Sequence, residues 1–180
     1  MHRETSGDAW TSIGPEGMSV LSLAVDRSNP KTIYVGTEDS GIFKSKDGGA
    51  SWAAVNDGFE GSNIILTLAI DPFKTNTVYA GTGNGLFKST NGGKNWNAAN
   101  LGVGKPNKFG VYSLAIDPRN TSTIYAASGS RGVFKSFDGG QTWSHLAGGV
   151  KIDFIALDPD DTELIYACSL AGGILTLRSR

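Results

Sequence analysis

The chain has 180 residues, enough for one domain with a substantial core and too few for two. A formal net charge of -1 supplies no basic field to draw in nucleic acid or an anionic membrane, so neither is expected as a partner. A single cysteine, Cys168, excludes an internal disulfide framework and a thiolate metal cluster.

The first eight residues, MHRETSGD, hold no apolar signal core, and no run approaches the roughly 18 apolar residues of a membrane span. The sequence therefore reads as soluble, with no signal peptide in this chain. Glycine is abundant at 25 residues and proline modest at 6, which suits many short strands joined by tight turns.

In chain order, residues 7–13 (GDAWTSI) read as a strand that opens on Trp10. Strand A follows at 21–25, where Leu21, Leu23 and Val25 alternate with Ser22 and Ala24, the period of a strand. A polar turn from Asp26 leads to strand B (TIYVGT, 32–37), rich in β-branched and aromatic residues. Strand C (GIFKS, 41–45) enters a tight turn, SKDGGASW at 45–52, and strand D begins at Trp52. The same order then returns. Asp47 recurs as Asn91 and Asp138, a period of about 45 residues, and Tyr34 of strand B recurs as Tyr79, Tyr125 and Tyr166.

A four-stranded unit repeated at this spacing predicts an all-β chain: a β-propeller of four-stranded antiparallel blades, four to the chain. The blades fall at about 19–56, 63–100, 111–147 and 151–180, the last completed by residues 7–13. That completion is expected because the last unit stops after a C strand (GILTL, 173–177), while the first residues supply a D strand without its A, B or C. The N-terminal strand would then close the last blade and remove exposed sheet edges. A closed four-bladed monomer, a strand-exchanged homodimer with an eight-bladed ring, and a fragment of a longer propeller all fit this pattern.

The turn motif Ser-x-Asp/Asn-Gly-Gly-x-Ser/Thr/Asn-Trp occurs at 45–52, 89–96 and 136–143. Asp47, Asn91 and Asp138 are expected to fold a side-chain oxygen onto backbone N–H groups of the turn. Trp10, Trp52, Trp96 and Trp143 are expected to pack between blades. One carboxylate per turn is too few oxygens for calcium, and His2 and His145 are isolated, so no metal and no cofactor is expected.

These residues resemble the Asp-box, or BNR repeat, of sialidases, xyloglucan-active endoglucanases, sortilin-type receptors and photosystem II assembly factor-like proteins. The fourth unit departs, with Arg3 and Thr5 where the box Ser and Asp would stand. The resemblance implies a propeller and an extracytoplasmic setting, and it does not by itself imply an activity.

A sialidase-like site of the kind the family has needs an arginine triad, but Arg27, Arg119, Arg131, Arg178 and Arg180 share no repeat position, and the repeating Tyr residues sit at core positions of strand B. Asp39 resembles the loop in which xyloglucan-active endoglucanases carry a catalytic Asp. Its repeat equivalents are Asn84, Arg131 and Leu170 or Ala171, so no partner carboxyl arises by repetition. Catalysis by this chain alone is not expected, and a glycoside hydrolase, or part of one, is the alternative. Function is sought instead in the residues that vary between units. The B-to-C loops carry Glu38, Asp39, Asn84 and Arg131; the D-to-A loops carry Phe59 and Glu60 after the first unit and Lys105, Lys108 and Phe109 in the insertion at 100–110 after the second. Both loop sets share one face, expected to bind a protein, peptide or glycan. Self-assembly of a purely structural propeller is the remaining alternative.

Overall fold

The computed structural model describes residues 10–59, 63–99, 110–170 and 172–179. The first repeat folds as β1 (Val20–Val25), β2 (Ile33–Thr37), β3 (Ile42–Ser45) and β4 (Ala53–Ala54), hydrogen-bonded in that order. The second gives β5 (Ile65–Ile70), β6 (Val78–Thr82), β7 (Gly85–Ser89) and β8 (Asn97–Ala98). The third gives β9 (Ser113–Ile116), β10 (Ile124–Ala127), β11 (Val133–Ser136) and β12 (Ser144–Ala147). The fourth gives β13 (Phe154–Leu157), β14 (Leu164–Ser169) and β15 (Gly173–Arg178). All pairings are antiparallel, and the inner strands β1, β5, β9 and β13 neighbour one another in chain order. The chain is thus an all-β propeller of four antiparallel blades. Among the described residues no helix is long and apolar enough to cross a membrane.

Each blade has two faces because strand side chains alternate. Ser22, Ala24, Tyr34, Gly36 and Ile42 share one face by register. That face looks toward the next blade, since the Tyr34 hydroxyl donates to the Gly92 carbonyl at 3.1 Å. Leu23, Val25, Ile33, Val35 and Phe43 look the other way. The small pair Ser22/Gly36 forms a cradle for the next blade: a Cβ on Gly36 would fall 2.5 Å from Cγ2 of Ile65. Thr67 and Gly81 receive Val111 in the same way, and a Cβ on Gly81 would fall 2.8 Å from Cγ1 of Val111. In the last blade the register-equivalent pair is Phe154 and Cys168, so this cradle is filled by the blade's own side chains.

The two ends of the row present faces that inner junctions bury. Leu23 is 62% exposed, whereas its equivalents Leu68 and Ile155 are 9% and 8% exposed. Tyr166 is 40% exposed against 1% for Tyr34, Tyr79 and Tyr125.

The expected outer strand of the last blade is not found among the described residues. β15 pairs with β14 alone, and residues 10–13 form no strand. Residues 1–9 lie outside the described set. Trp10, expected to pack between blades, is fully exposed, and among the described residues no blade lies over it as over Trp96 and Trp143. Ile13 lies against the first blade instead. Its carbonyl accepts the Trp52 indole N–H at 2.6 Å, the place taken by Val55 and Ala99 at the next two junctions.

Candidate functional site

The box turns are closed networks of hydrogen bonds. The Ser45 hydroxyl donates to Asp47 Oδ1 at 2.7 Å and accepts the Gly49 N–H at 2.8 Å. Asp47 Oδ1 accepts the Ser51 N–H at 2.9 Å, and Oδ2 accepts the Ser51 hydroxyl. These bonds, the Ser51 hydroxyl foremost, hold the Asp47 carboxyl down at about 2. At Asp138 desolvation pushes upward, but bonds from Thr142 and Ser136 outweigh it and leave about 2. Asn91 builds the same turn as a neutral group: Oδ1 accepts the Asn95 N–H at 3.0 Å and Nδ2 donates to Asn95 Oδ1 at 3.2 Å. An amide nitrogen can only donate, so an acceptor must follow it, and Asn95 stands where the Asp boxes have Ser51 and Thr142.

A second repeating device joins blade to blade. Lys44 Nζ donates to the same Gly92 carbonyl as Tyr34, at 2.9 Å, and lies 4.7 Å from the Tyr34 ring centroid. Tyr79 and Lys88 clamp the Gly139 carbonyl at 3.1 and 2.7 Å. Tyr125 and Lys135 meet the Ser179 hydroxyl, which stands in for a box carbonyl, at 2.8 and 2.9 Å. Burial first, and the Asp26 charge second, push the Tyr34 phenol up to about 12.

At the opposite edge of the blades the B-to-C and D-to-A loops are knitted together. Gly41 N–H donates to Asn63 O at 3.0 Å, Asn56 Nδ2 to Ser40 O at 3.1 Å, and Ile152 N–H to Gly129 O at 3.0 Å. Glu38, Asp39 and Arg131 are exposed on this edge and Asn84 is half-buried. The Ser40 hydroxyl donates to Asp39 Oδ1 at 2.8 Å, and the Arg131 carbonyl meets His145 Nε2 at 3.0 Å. Lys105, Lys108 and Phe109, with Glu60, fall outside the described residues.

Phe59 is placed differently from its expected binding role. Its ring lies 4.7 Å from Phe87 and 5.0 Å from Trp96, centroid to centroid, so its apolar surface is spent on packing. Two residues of this edge were not foreseen. Tyr112, 41% exposed, is a Tyr outside strand B; it sits against Gly110 and Gly129. Asp153, buried, accepts the Leu170 N–H at 3.0 Å and pairs with Lys151 at 3.1 Å. Those contacts, the Leu170 N–H foremost, lower its carboxyl below the usual range. The signal for Tyr112 was available, since its repeat equivalents are Leu21, Leu66 and Asp153, none of them aromatic. Among the described residues no three His, Cys, Asp or Glu side chains come together as a metal site.

Blade architecture and box turns together define an Asp-box, BNR-type β-propeller. A family model for sortilin (neurotensin receptor 3) matches residues 40–170, and the chain belongs to this Sortilin-Vps10 family. No curated protein shows a significant sequence match. Among solved structures, an ancestral GH74 enzyme superposes with a TM-score of 0.74 and 24% identity, covering 89% of this chain and 23% of the enzyme. The Niastella koreensis GH74 enzyme gives 0.71 and 25%, covering 89% of this chain and 28% of its own. YCF48 from Cyanidioschyzon merolae gives 0.64 and 16%, covering 92% and 55%. The chain thus spans about a quarter of the length of the GH74 enzymes it resembles.

Proposed function

We propose that this propeller is a non-catalytic binding or scaffold module that presents its B-to-C and D-to-A loop edge to a protein, peptide or glycan. The observation that carries the reading is a division of labour. Residues that repeat are consumed by turns and blade junctions, while Glu38/Asp39, Asn84, Arg131 and Leu170 differ at one loop position and three of these loops are exposed. The reading carries with it the extracytoplasmic setting that the family resemblance implies. Lys105, Lys108 and Phe109 of the insertion belong to the same proposed face.

The test is binding to a glycan array and a peptide library, with the charge reversals Glu38→Lys and Arg131→Glu. A ligand bound without turnover and lost in either reversal is the expected result. Hydrolysis of xyloglucan or a sialoside by purified protein, abolished by Asp39→Asn, would overturn it in favour of the glycoside hydrolase reading.

One observation favours a second reading, assembly of two chains into an eight-bladed ring: both end faces expose apolar residues, Leu23 and Val25 on one and Tyr166 and Ile174 on the other. Such a junction would lack the glycine cradle, since Phe154 and Cys168 fill it. Light scattering in solution decides. A dimer mass lowered to that of one chain by Leu23→Asp supports assembly, and a monomer mass at all concentrations removes it.

A further inference from the structure

Away from the loop edge, a groove of about 720 Å³ runs along the rim between the first and second blades. Its walls carry Lys44, Lys46 and Lys94, with Trp52, Asn76 and Asn91 among the other lining residues and, among the described residues, no carboxylate in the lining. Lys44 feels the charges of the other two. Burial lowers the Lys44 pKa most, and Lys46 and Lys94 lower it further, against an opposing pull from Asp26.

The junction between the second and third blades is an internal control, because the repeat places equivalent positions there. Lys88 is kept, but Thr90 stands for Lys46, Gln141 for Lys94, and Asp138 for Asn91. Asp138 acts on Lys88 as an opposing charge. Its groove is only about 130 Å³. At all three differing positions the first junction is one charge more positive, and nothing in the fold demands it, since the box closes equally well around Asp or Asn.

We infer that this rim groove binds an acidic oligosaccharide. Lys46 and Lys94, both exposed, reach the oxyanions, and Lys44 at the groove wall supplies a third cation while anchored to the Gly92 carbonyl. The Trp52 indole, held in place by its bond to Ile13 O, offers an apolar wall for a sugar ring. The volume lies in the range of small-ligand sites, about 300–1,000 Å³. The neutral box at Asn91 removes the carboxylate that would repel such a ligand.

Calorimetry on the full chain with trigalacturonate, a heparin-derived tetrasaccharide and neutral cellotriose tests this. At least one acidic probe is expected to bind, more weakly as salt rises, and cellotriose is expected not to. Binding of trigalacturonate alone assigns carboxylates, and of the heparin fragment alone, sulfates. Lys46→Gln with Lys94→Gln should weaken binding about tenfold or more with an unchanged melting temperature, and Lys46→Arg with Lys94→Arg should retain it. Arg27→Gln, on the β1–β2 turn, removes one positive charge outside the groove lining; set against the single variants Lys46→Gln and Lys94→Gln, it should leave affinity unchanged. Equal binding of cellotriose, no binding of either acid at millimolar concentration, or full affinity in the double Gln variant would each overturn the assignment.

Discussion

Trp96→Ala is expected to lower the unfolding free energy by about 3–5 kcal/mol, while Trp10→Ala leaves it within about 0.5 kcal/mol. Both residues hold the same position in the repeat, three residues before Ala99 in one unit and three before Ile13 in the other. Their surroundings differ completely. Trp96 is buried among Tyr34, Ile42, Ile65, Val78 and Phe87, and its indole N–H donates to Val55 O at 2.8 Å across the blade junction. Removing it empties a core site and leaves that carbonyl without its donor. Trp96→Phe keeps most of the apolar area and should cost less, about 1–3 kcal/mol for the lost bond and the smaller ring. Urea denaturation of the three variants gives the comparison. Equal losses for Trp96→Ala and Trp10→Ala would show that the exposed indole is packed after all.

The box turns were legible because their chemistry is local. Ser45, Asp47, the two glycines and Ser51 lie within seven residues, and side-chain reach alone dictates which N–H groups Asp47 can accept. The blades were legible from the period of Tyr34, Tyr79, Tyr125 and Tyr166. Of the contacts between blades, the packing of Trp96 and Trp143 was legible and the polar clamp was not. Taken singly, Lys44, Lys88 and Lys135 carry no mark of a contact, and only their register beside the tyrosines reveals the clamp on the next blade's turn. The repetition of Phe-Lys in three C strands, with Thr176 in the fourth, was the available sign. Trp10 misled for the same reason: the motif marks a residue able to pack between blades, not the presence of a blade to pack against. On the loop edge the positions that differ between repeats can be read off the sequence, but the packing of Phe59 cannot, because nothing in its sequence neighbourhood tells of Phe87 and Trp96 beneath it.

Gly132→Ala should destabilise by about 2–5 kcal/mol, combining left-handed backbone strain with overpacking. Gly132 immediately precedes β11 at φ 80°, and the equivalent Gly173 opens β15 at φ 76°. Both positions carry the same backbone cost for a side chain. Only one carries a collision. A Cβ at Gly132 would fall 2.0 Å from Ala147 O and 2.7 Å from the Gly148 Cα, whereas at Gly173 nothing lies within 4 Å. The obstacle is backbone, which cannot rotate aside, and it arises where the β11–β12 register shifts between Val133 and Phe134 and brings the end of β12 close. Gly173→Ala should therefore cost only the conformational part, about 1–3 kcal/mol. The substitution also reaches the proposed binding edge, because Arg131 precedes Gly132 and its carbonyl is met by His145. Gly132→Ala is thus expected to weaken ligand binding at the loop edge as well as stability, while Gly173→Ala shifts stability alone. Thermal denaturation and the array measurement on the two variants separate these effects, and a Gly132→Ala protein no less stable than Gly173→Ala would refute the close approach of β12.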